Sequence, residues 1–174
     1  MTMPSALIRL QTPGDYAALI EMNERAFGPG RFARTAYRVR EGAMHDPRLN
    51  LCAVLEGEII GSVDFTPVAI GGVSGALLLG PLIIVEDHKN QGYGLRLMLD
   101  GLERARELDY RLVILVGDLP YYARAGFGST PFERIALPGP VDPARILHVE
   151  LIPGALSAYR GLVRGMPSHP RGRG

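Results

Sequence analysis

The sequence has few lysines and cysteines and almost no net charge. Among its 174 residues Lys89 is the only lysine, and 19 basic residues balance 18 acidic ones to a formal charge of +1. Binding to an extended nucleic acid needs a basic excess, so this balance argues against a nucleic-acid partner, although one small anion could still be held locally. Because Cys52 is alone, no internal disulfide and no cysteine-rich zinc site can form.

Long apolar runs are also missing. The longest, from Ala76 to Val85, is interrupted by Gly80-Pro81 and falls short of the ~20 residues that span a membrane. The first residues, Met1 to Ser5, have neither a basic segment nor an apolar run, so no secretion signal is expected. We therefore expect a soluble, cytoplasmic protein with no membrane partner. No spacing of His, Asp and Glu is typical of a metal site, and no metal is expected.

The composition predicts one globular domain. Hydrophobic residues make up 47% of the chain and charged residues 21%, which is ordinary for a folded protein. A chain of this length buries roughly 70% of its unfolded surface, enough for a core without metal or disulfides. We expect a single domain over residues 1–163 and a flexible tail, rich in Arg, Pro and Gly, over residues 164–174.

Apolar periodicity predicts an alternation of strands and helices. Strands are expected over 6–10, 51–55, 59–68, 76–85, 112–116 and 146–152, and helices over about 16–27, 33–43, 93–108 and 118–126. The run from Ala76 is apolar on both faces, which favours a central strand covered by helices on each side. Since proline cannot donate to a ladder, Pro81 predicts a bulge or splay near Gly80 to Leu82.

The turn before the third helix is rich in glycine and reads Lys89-Asn90-Gln91-Gly92-Tyr93-Gly94. A glycine-rich turn from a strand into a helix leaves N–H groups free to hold a phosphate, and the helix dipole assists. Two other phosphate-binding motifs do not fit this turn. The dinucleotide motif needs a glycine at position 97, where the chain has Leu97, and the P-loop needs a Gly-Lys-Ser/Thr sequence, which the turn lacks. An ordinary loop with two glycines is the alternative.

This turn and a later segment resemble one known family. Followed by an amphipathic helix, the turn resembles the acyl-CoA pyrophosphate loop of the GNAT N-acetyltransferase superfamily. The segment Tyr121-Tyr122-Ala123-Arg124-Ala125-Gly126-Phe127 is similar to the family's aromatic-Tyr-x-x-x-Gly-Phe motif. With the flanking segments at Gly117-Asp118, 137–141 and 150–156, the chain resembles a subgroup of small bacterial acetyltransferases from about Leu51 onward.

The resemblance implies a fold and a cofactor. The fold is a single-domain mixed α/β (α+β) one, with a mostly antiparallel central sheet, a splayed parallel pair and helices on both faces. The co-substrate is acetyl-CoA, with the backbone of Leu82 to Ile84 against the pantetheine arm and the turn on the pyrophosphate. The residues that it assigns to the cofactor are Leu82, Ile83, Ile84, Lys89, Asn90, Gln91, Gly92, Tyr93, Gly94 and Leu95.

The resemblance also assigns a proton donor. Tyr122 aligns with the tyrosine that protonates the departing CoA thiolate, a role that suits a phenol neutral at pH 7. A carboxylate near the strand exits is expected to act as the general base. We expect Glu86, with the carboxylates of Asp87 and Asp64 and the imidazole of His88 as alternatives. Asp118 either caps the short helix or takes the place of an asparagine frequent in the family.

The expected activity is direct transfer of an acetyl group from acetyl-CoA to an amine of a small molecule or peptide. The alternative is a module that binds or senses acyl-CoA without turnover. Both need the glycine-rich turn, and only the first needs Tyr122 as an acid. Exposed apolar edges make a homodimer a reasonable further expectation.

Overall fold

One mixed sheet with helices on both faces forms the fold of this chain, in a computed structural model that describes residues 5–30 and 34–167. Its strands are β1 (Leu7–Leu10), β2 (Leu51–Leu55), β3 (Glu58–Ile70), β4 (Val73–Ile84), β5 (Leu112–Val116), β6 (Gly128–Ser129), β7 (Ile135–Ala136), β8 (Ile146–Glu150) and β9 (Gly161–Gly165). Its helices are α1 (Tyr16–Phe27), α2 (Thr35–Arg40), α3 (Tyr93–Glu107) and α4 (Leu119–Tyr122).

The sheet is mostly antiparallel with a parallel pair at its centre. The strand order is β1-β2-β3-β4-β5-β8-β6, and β9 pairs with the far end of β3 and with β7. Only β4 with β5 and β7 with β9 run parallel among the described strands. The crossover from β4 to β5 passes through α3, as a parallel connection requires. The predicted fold class is confirmed.

The predicted irregularity in β4 lies where Pro81 stands. Val63 of β3 pairs with Leu82, but Phe65 pairs with Leu79, so two residues of β4 oppose one of β3. That is a β-bulge at Gly80 and Pro81. Pairing of β4 with β5 lasts from Ala76 to Leu78, and beyond it the two strands separate. The bulge and the splay are both confirmed, because proline has no N–H to continue the ladder.

The β4 strand contributes to a core on each face of the sheet. Leu77 packs with Leu97 and Met98 of α3 on one face, whereas Leu78 packs with Ile114 and Tyr159 on the other. Successive strand side chains point to opposite faces, so the continuous apolar run of β4 is explained by burial on both sides.

The two N-terminal helices cover the face opposite α3. Leu19 and Met22 of α1 pack on Ile83, and Val39 of α2 is buried in the second core. Ile20, on another face of α1, is 57% exposed. Helix α2 is shorter than the predicted 33–43, because Glu41 leaves the helical conformation; Ala33 lies outside the described residues.

The last strand extends into the expected tail. Arg164 and Gly165 belong to β9 and pair with β3, so the tail cannot begin at residue 164 as predicted. Residues 168–174 lie outside the described part. No helix within the described ranges has the length and apolar character to cross a membrane.

Gly101 of α3 tests how closely the helix lies on the sheet. A Cβ there would overlap the ring of Phe65. We expect Gly101→Ala to lower the free energy of unfolding, because overpacking costs about 1–3 kcal/mol and exceeds the roughly 1 kcal/mol gain in helix propensity. Urea denaturation measures this. The matched control is Asp100→Ala, next to it on the exposed face, which should not destabilise; equal stability of the two variants would contradict the close packing.

Candidate active site

Two cavities adjoin where β4 leaves β5. The smaller has a volume of about 270 Å³ and lies beside the glycine-rich turn, and the larger, of about 1350 Å³, lies under α1 and α2. Leu82 and Tyr122 line both. The separation of the two strands therefore forms a passage from one side of the sheet to the other, and Leu82 and Tyr122 lie where the two cavities meet.

The turn that borders the smaller cavity presents free donors. Asn90 and Gly92 both have left-handed backbones, with φ of 62° and 89°. The first backbone bond of α3 runs from the N–H of Arg96 to the carbonyl of Gly92, at 3.1 Å. Since the first N–H groups of a helix have no acceptor within it, those of Tyr93, Gly94 and Leu95 are available to an anion, at the positive end of the helix dipole.

Most of the residues predicted to hold the cofactor lie around this cavity. Those that line it are Leu82, Ile84, Lys89, Asn90, Gly92, Tyr93, Gly94 and Leu95. The side chain of Ile83 instead packs under α1, because neighbouring strand residues face opposite ways. The exposed Gln91 donates its Nε2 hydrogen to the carbonyl of Asp87 at 3.3 Å, which braces the turn.

Gly94 has a different role from the one its sequence pattern indicates. It lies in α3 without a left-handed backbone, and a Cβ there would overlap the hydroxyl of Tyr121. The ring of Tyr121 meets that of Tyr122 edge-on, with centroids 5.0 Å apart. Gly94 thus allows the tyrosine pair of α4 to approach α3. Of the two glycines in the turn, Gly92 has a positive φ and Gly94 does not.

Tyr122 is enclosed at the junction of the cavities. Its ring meets that of Phe127 edge-on at 6.1 Å, and a Cβ at Gly117 would overlap it. Burial, first of all, raises the pKa of Tyr122 to about 12. The phenol therefore stays protonated at neutral pH, as a proton donor must.

Glu86, the predicted base, lies on the surface beside the smaller cavity. Its side chain is 84% exposed and pairs with the Nζ of Lys89 at 2.8 Å, and it lines neither cavity. A short 3₁₀ turn over Glu86–His88 directs it into solvent. His88 lies nearer, with its ring 6.4 Å from that of Tyr93 beside the smaller cavity.

Asp64, one of the alternatives for the base, lines the larger cavity. It faces the bulge from β3, and its Oδ1 accepts a hydrogen bond from Nε2 of Gln11 at 2.7 Å. Gln11 also donates to the carbonyl of Leu51 at 3.1 Å, which fixes its amide. Burial is the main cause that raises the pKa of Asp64, with the bond from Gln11 opposing it. The carboxylate is thus oriented and made more basic.

A second amide holds the strand next to Asp64. The Oδ1 of Asn50 accepts a bond from the backbone N–H of Phe65 at 2.9 Å, at the position where the bulge interrupts pairing. Gln11 and Asn50 come from segments remote in sequence from β3, and no motif marks them. Only the sheet register brings them to Asp64.

Asp118 lies across the larger cavity from Asp64. It stands at the N-cap position of α4, but its side chain makes no capping bond. Its Oδ1 instead lies 3.6 Å from Nε of Arg145. The predicted cap is therefore correct in position but not in hydrogen bonding. Within residues 5–30 and 34–167, no group of three or more His, Cys, Asp or Glu side chains is arranged to hold a metal ion.

Comparison with known proteins agrees with this geometry. The model of the acetyltransferase (GNAT) family matches residues 16–127, so the chain belongs to that family and is an acetyltransferase. It is 29% identical over 161 residues to the uncharacterized N-acetyltransferase YhbS of Escherichia coli, covering 90% of this chain and 94% of that protein.

Solved structures give the same result. The crystal structure of YhbS from Escherichia coli in complex with CoA superposes with a TM-score of 0.81, at 28% identity over 95% of this chain and 92% of that one. A GNAT acetyltransferase from Brucella melitensis in complex with acetyl-CoA has a TM-score of 0.60 and 28% identity, covering 84% and 97% of the two chains. The predicted family is confirmed.

Gly92 gives a direct test of the anion cradle. Gly92→Val should weaken CoA binding roughly tenfold or more, since a left-handed backbone costs a residue with a Cβ about 1–2 kcal/mol and the loop would leave the binding conformation. Isothermal titration calorimetry measures this. Gly57→Val is the control, because Gly57 has a similar φ of 82° in the β2–β3 hairpin, far from both cavities. Equal CoA affinity of the two variants would refute the cradle.

Proposed function

We propose that the protein transfers the acetyl group of acetyl-CoA directly to an amine. The observation that carries this proposal is the meeting of two cavities at Leu82 and Tyr122. A cofactor held in one and an acceptor held in the other would bring thioester and amine together in a single complex. Such alignment supplies a large part of the rate in a two-substrate reaction.

The smaller cavity would hold the cofactor. The pyrophosphate of the cofactor would bind the free N–H groups at the start of α3, and Lys89 is among the residues that line this cavity. The pantetheine arm runs along Leu82 to Ile84, where β4 has no partner on its β5 side and so has backbone groups free to bind an amide-containing chain. The CoA complex of the similar YhbS and the acetyl-CoA complex of the Brucella protein support this assignment.

The larger cavity would hold the acceptor. Asp64 accepts the proton that the ammonium must lose, and the neutral nitrogen attacks the thioester carbon at the bulge. A C–N bond forms and the C–S bond breaks. The departing thiolate takes the proton of Tyr122, which later regains one from solvent. The second proton of the attacking nitrogen goes to Asp64, which has by then released the first to solvent. Asp64 replaces Glu86 as the base, since Asp64 lies in this cavity and Glu86 pairs with Lys89 in solvent.

A module that binds acyl-CoA without turnover needs only the smaller cavity. The larger cavity, the passage to it and an enclosed protonated phenol at the junction have no use in such a module. These three features, with membership of an acetyltransferase family, favour the enzyme.

Tyr122→Phe separates the two candidates. It should lower kcat by roughly 10²- to 10⁴-fold, the usual contribution of a general acid, while leaving the CoA dissociation constant within a few-fold. The assay follows free thiol release with a chromogenic disulfide. Tyr110→Phe is the control, because burial also raises the pKa of Tyr110 to about 12, but its hydroxyl donates to Asp46 outside both cavities. An unchanged kcat in Tyr122→Phe would remove the acid assignment.

Asp64→Asn tests the base. The amide keeps the size but cannot take a proton, so kcat/KM should fall by on the order of 10²-fold. In the unaltered enzyme kcat/KM should decline as pH falls through the pKa of Asp64, which burial places above the ordinary 3.8, and Asp64→Asn should lose that acid limb. Glu86→Gln provides the comparison and should keep it. Loss of the limb in Glu86→Gln instead would restore Glu86 as the base.

A further inference from the structure

A half-buried guanidinium whose buried Nε has no hydrogen-bond partner faces the larger cavity. Arg40 lines this cavity, and its Nε is the one buried side-chain nitrogen or oxygen in the described ranges that makes no hydrogen bond. The ion pairs of the described residues do not include Arg40. Folded proteins rarely leave a buried charge uncompensated, so this group calls for an anion from outside the chain.

The backbone that carries Arg40 is fixed. At the start of α2 the hydroxyl of Thr35 donates to the carbonyl of Pro140 at 2.7 Å. Val39 is buried in the core at 3% exposure, and Ala43 just beyond the helix bridges to Pro167. Because the helix is anchored at its start, at Val39 and just beyond its end, the backbone at Arg40 is held in place, which lowers the cost of ordering its side chain on a ligand.

Arg40 stands directly over the bulge. A Cβ at Gly80 would lie 3.3 Å from its Nη2, and Asp64 faces the same bulge from β3. The two charges influence each other without forming an ion pair: the carboxylate of Asp64 opposes the effect of burial, which lowers the pKa of Arg40 to about 10. Arg40 remains charged at neutral pH. A cation and an anion thus flank the expected position of the thioester with a gap between them.

The other charges around the cavity have partners within the chain. Arg145 lies 3.6 Å from Asp118, and Asp142 accepts the backbone N–H of Ala144 at 3.0 Å. Arg34 stacks on the ring of Phe27 at 4.8 Å. All four of these charged residues are also exposed, whereas Asp64 and Arg40 are not. Asp64 accepts its one described hydrogen bond from the neutral amide of Gln11, so Asp64 and Arg40 are the charges left to recognise an acceptor in the interior of the cavity.

We propose that the acceptor is a small molecule that carries a carboxylate close to its amine, such as an amino acid. Its ammonium group would lie against Asp64 and its carboxylate on Arg40, in the fork geometry that guanidinium offers to two oxygens. This inference rests on the proposed function, since Asp64 is both the base and the amine site. Of the acceptors that the transferase could take, simple amines would leave Arg40 unpaired.

The experiment compares acceptors in pairs. Alanine is paired with ethylamine and phenylalanine with phenethylamine, and each amine lacks only the carboxylate of its amino acid. For every acceptor kcat/KM is measured by thiol release. The native enzyme should prefer the amino acid by roughly 10- to 100-fold, the range expected for charge-assisted hydrogen bonds. In Arg40→Gln the ratio should collapse toward one, chiefly through KM of the amino acid.

Arg34→Gln is the matched control, because it removes the same charge from the same cavity but away from the bulge, and it should retain the preference. The melting temperature of Arg40→Gln should be no lower than that of the native protein, since no described group loses a partner. If Arg40→Gln lowers kcat equally for the amino acid and for its matching amine, Arg40 acts on the thioester and not on the carboxylate of the acceptor. That result would overturn the inference.

The two levels of the proposal fail in different ways. If acetyl-CoA binds in the calorimeter but no thiol is released with amino acids, simple amines or peptides, the transferase mechanism itself is refuted. If the amines are acetylated as fast as the matching amino acids, the transferase stands and the carboxylate site is refuted.

Discussion

The early end of pairing between β4 and β5 is the constraint on which the site depends. These strands share hydrogen bonds only from Ala76 to Leu78, after which the bulge at Gly80 and Pro81 turns β4 away. The cores on both faces hold the paired half together, so the opening is confined to one end. Without this opening the sheet would be continuous and would separate the two cavities.

Each wall of the opening has a different physical basis. On the side of the proposed cofactor site the binding groups would be backbone N–H donors, which stay in place because α3 is packed against the sheet through Gly101 and Phe65. On the side of the proposed acceptor site they would be charged side chains, which need bracing by Gln11 and by the anchored α2. A backbone site needs little more than the correct loop, whereas a side-chain site depends on contacts from several segments.

That difference explains what the sequence could and could not predict. The turn around Gly92 and the bulge at Pro81 are local patterns that neighbouring residues alone could locate, and Tyr122 was located through a short motif that resembles one of a known family. The proposed base depends on contacts between distant segments: Glu86, expected from its place beside the motif, points into solvent, while Asp64, expected only as an alternative, lines the larger cavity and receives a bond from a residue 53 positions earlier. Arg40 belongs to no motif, and its importance lies in the absence of a described partner.

The separate origin of the two cavities has a consequence for how the protein diversifies. The cofactor side is built mainly from the β4 exit, the start of α3 and α4, while the acceptor side takes most of its lining from α1, α2 and the loop near Val141. Substitutions on α1 and α2 can change the size and charge of the acceptor cavity without disturbing the glycine-rich turn. The same fold can in this way keep one acetyl donor and acquire new acceptors. Only substitutions at Leu82 and Tyr122, which line both cavities, would affect the two sites together.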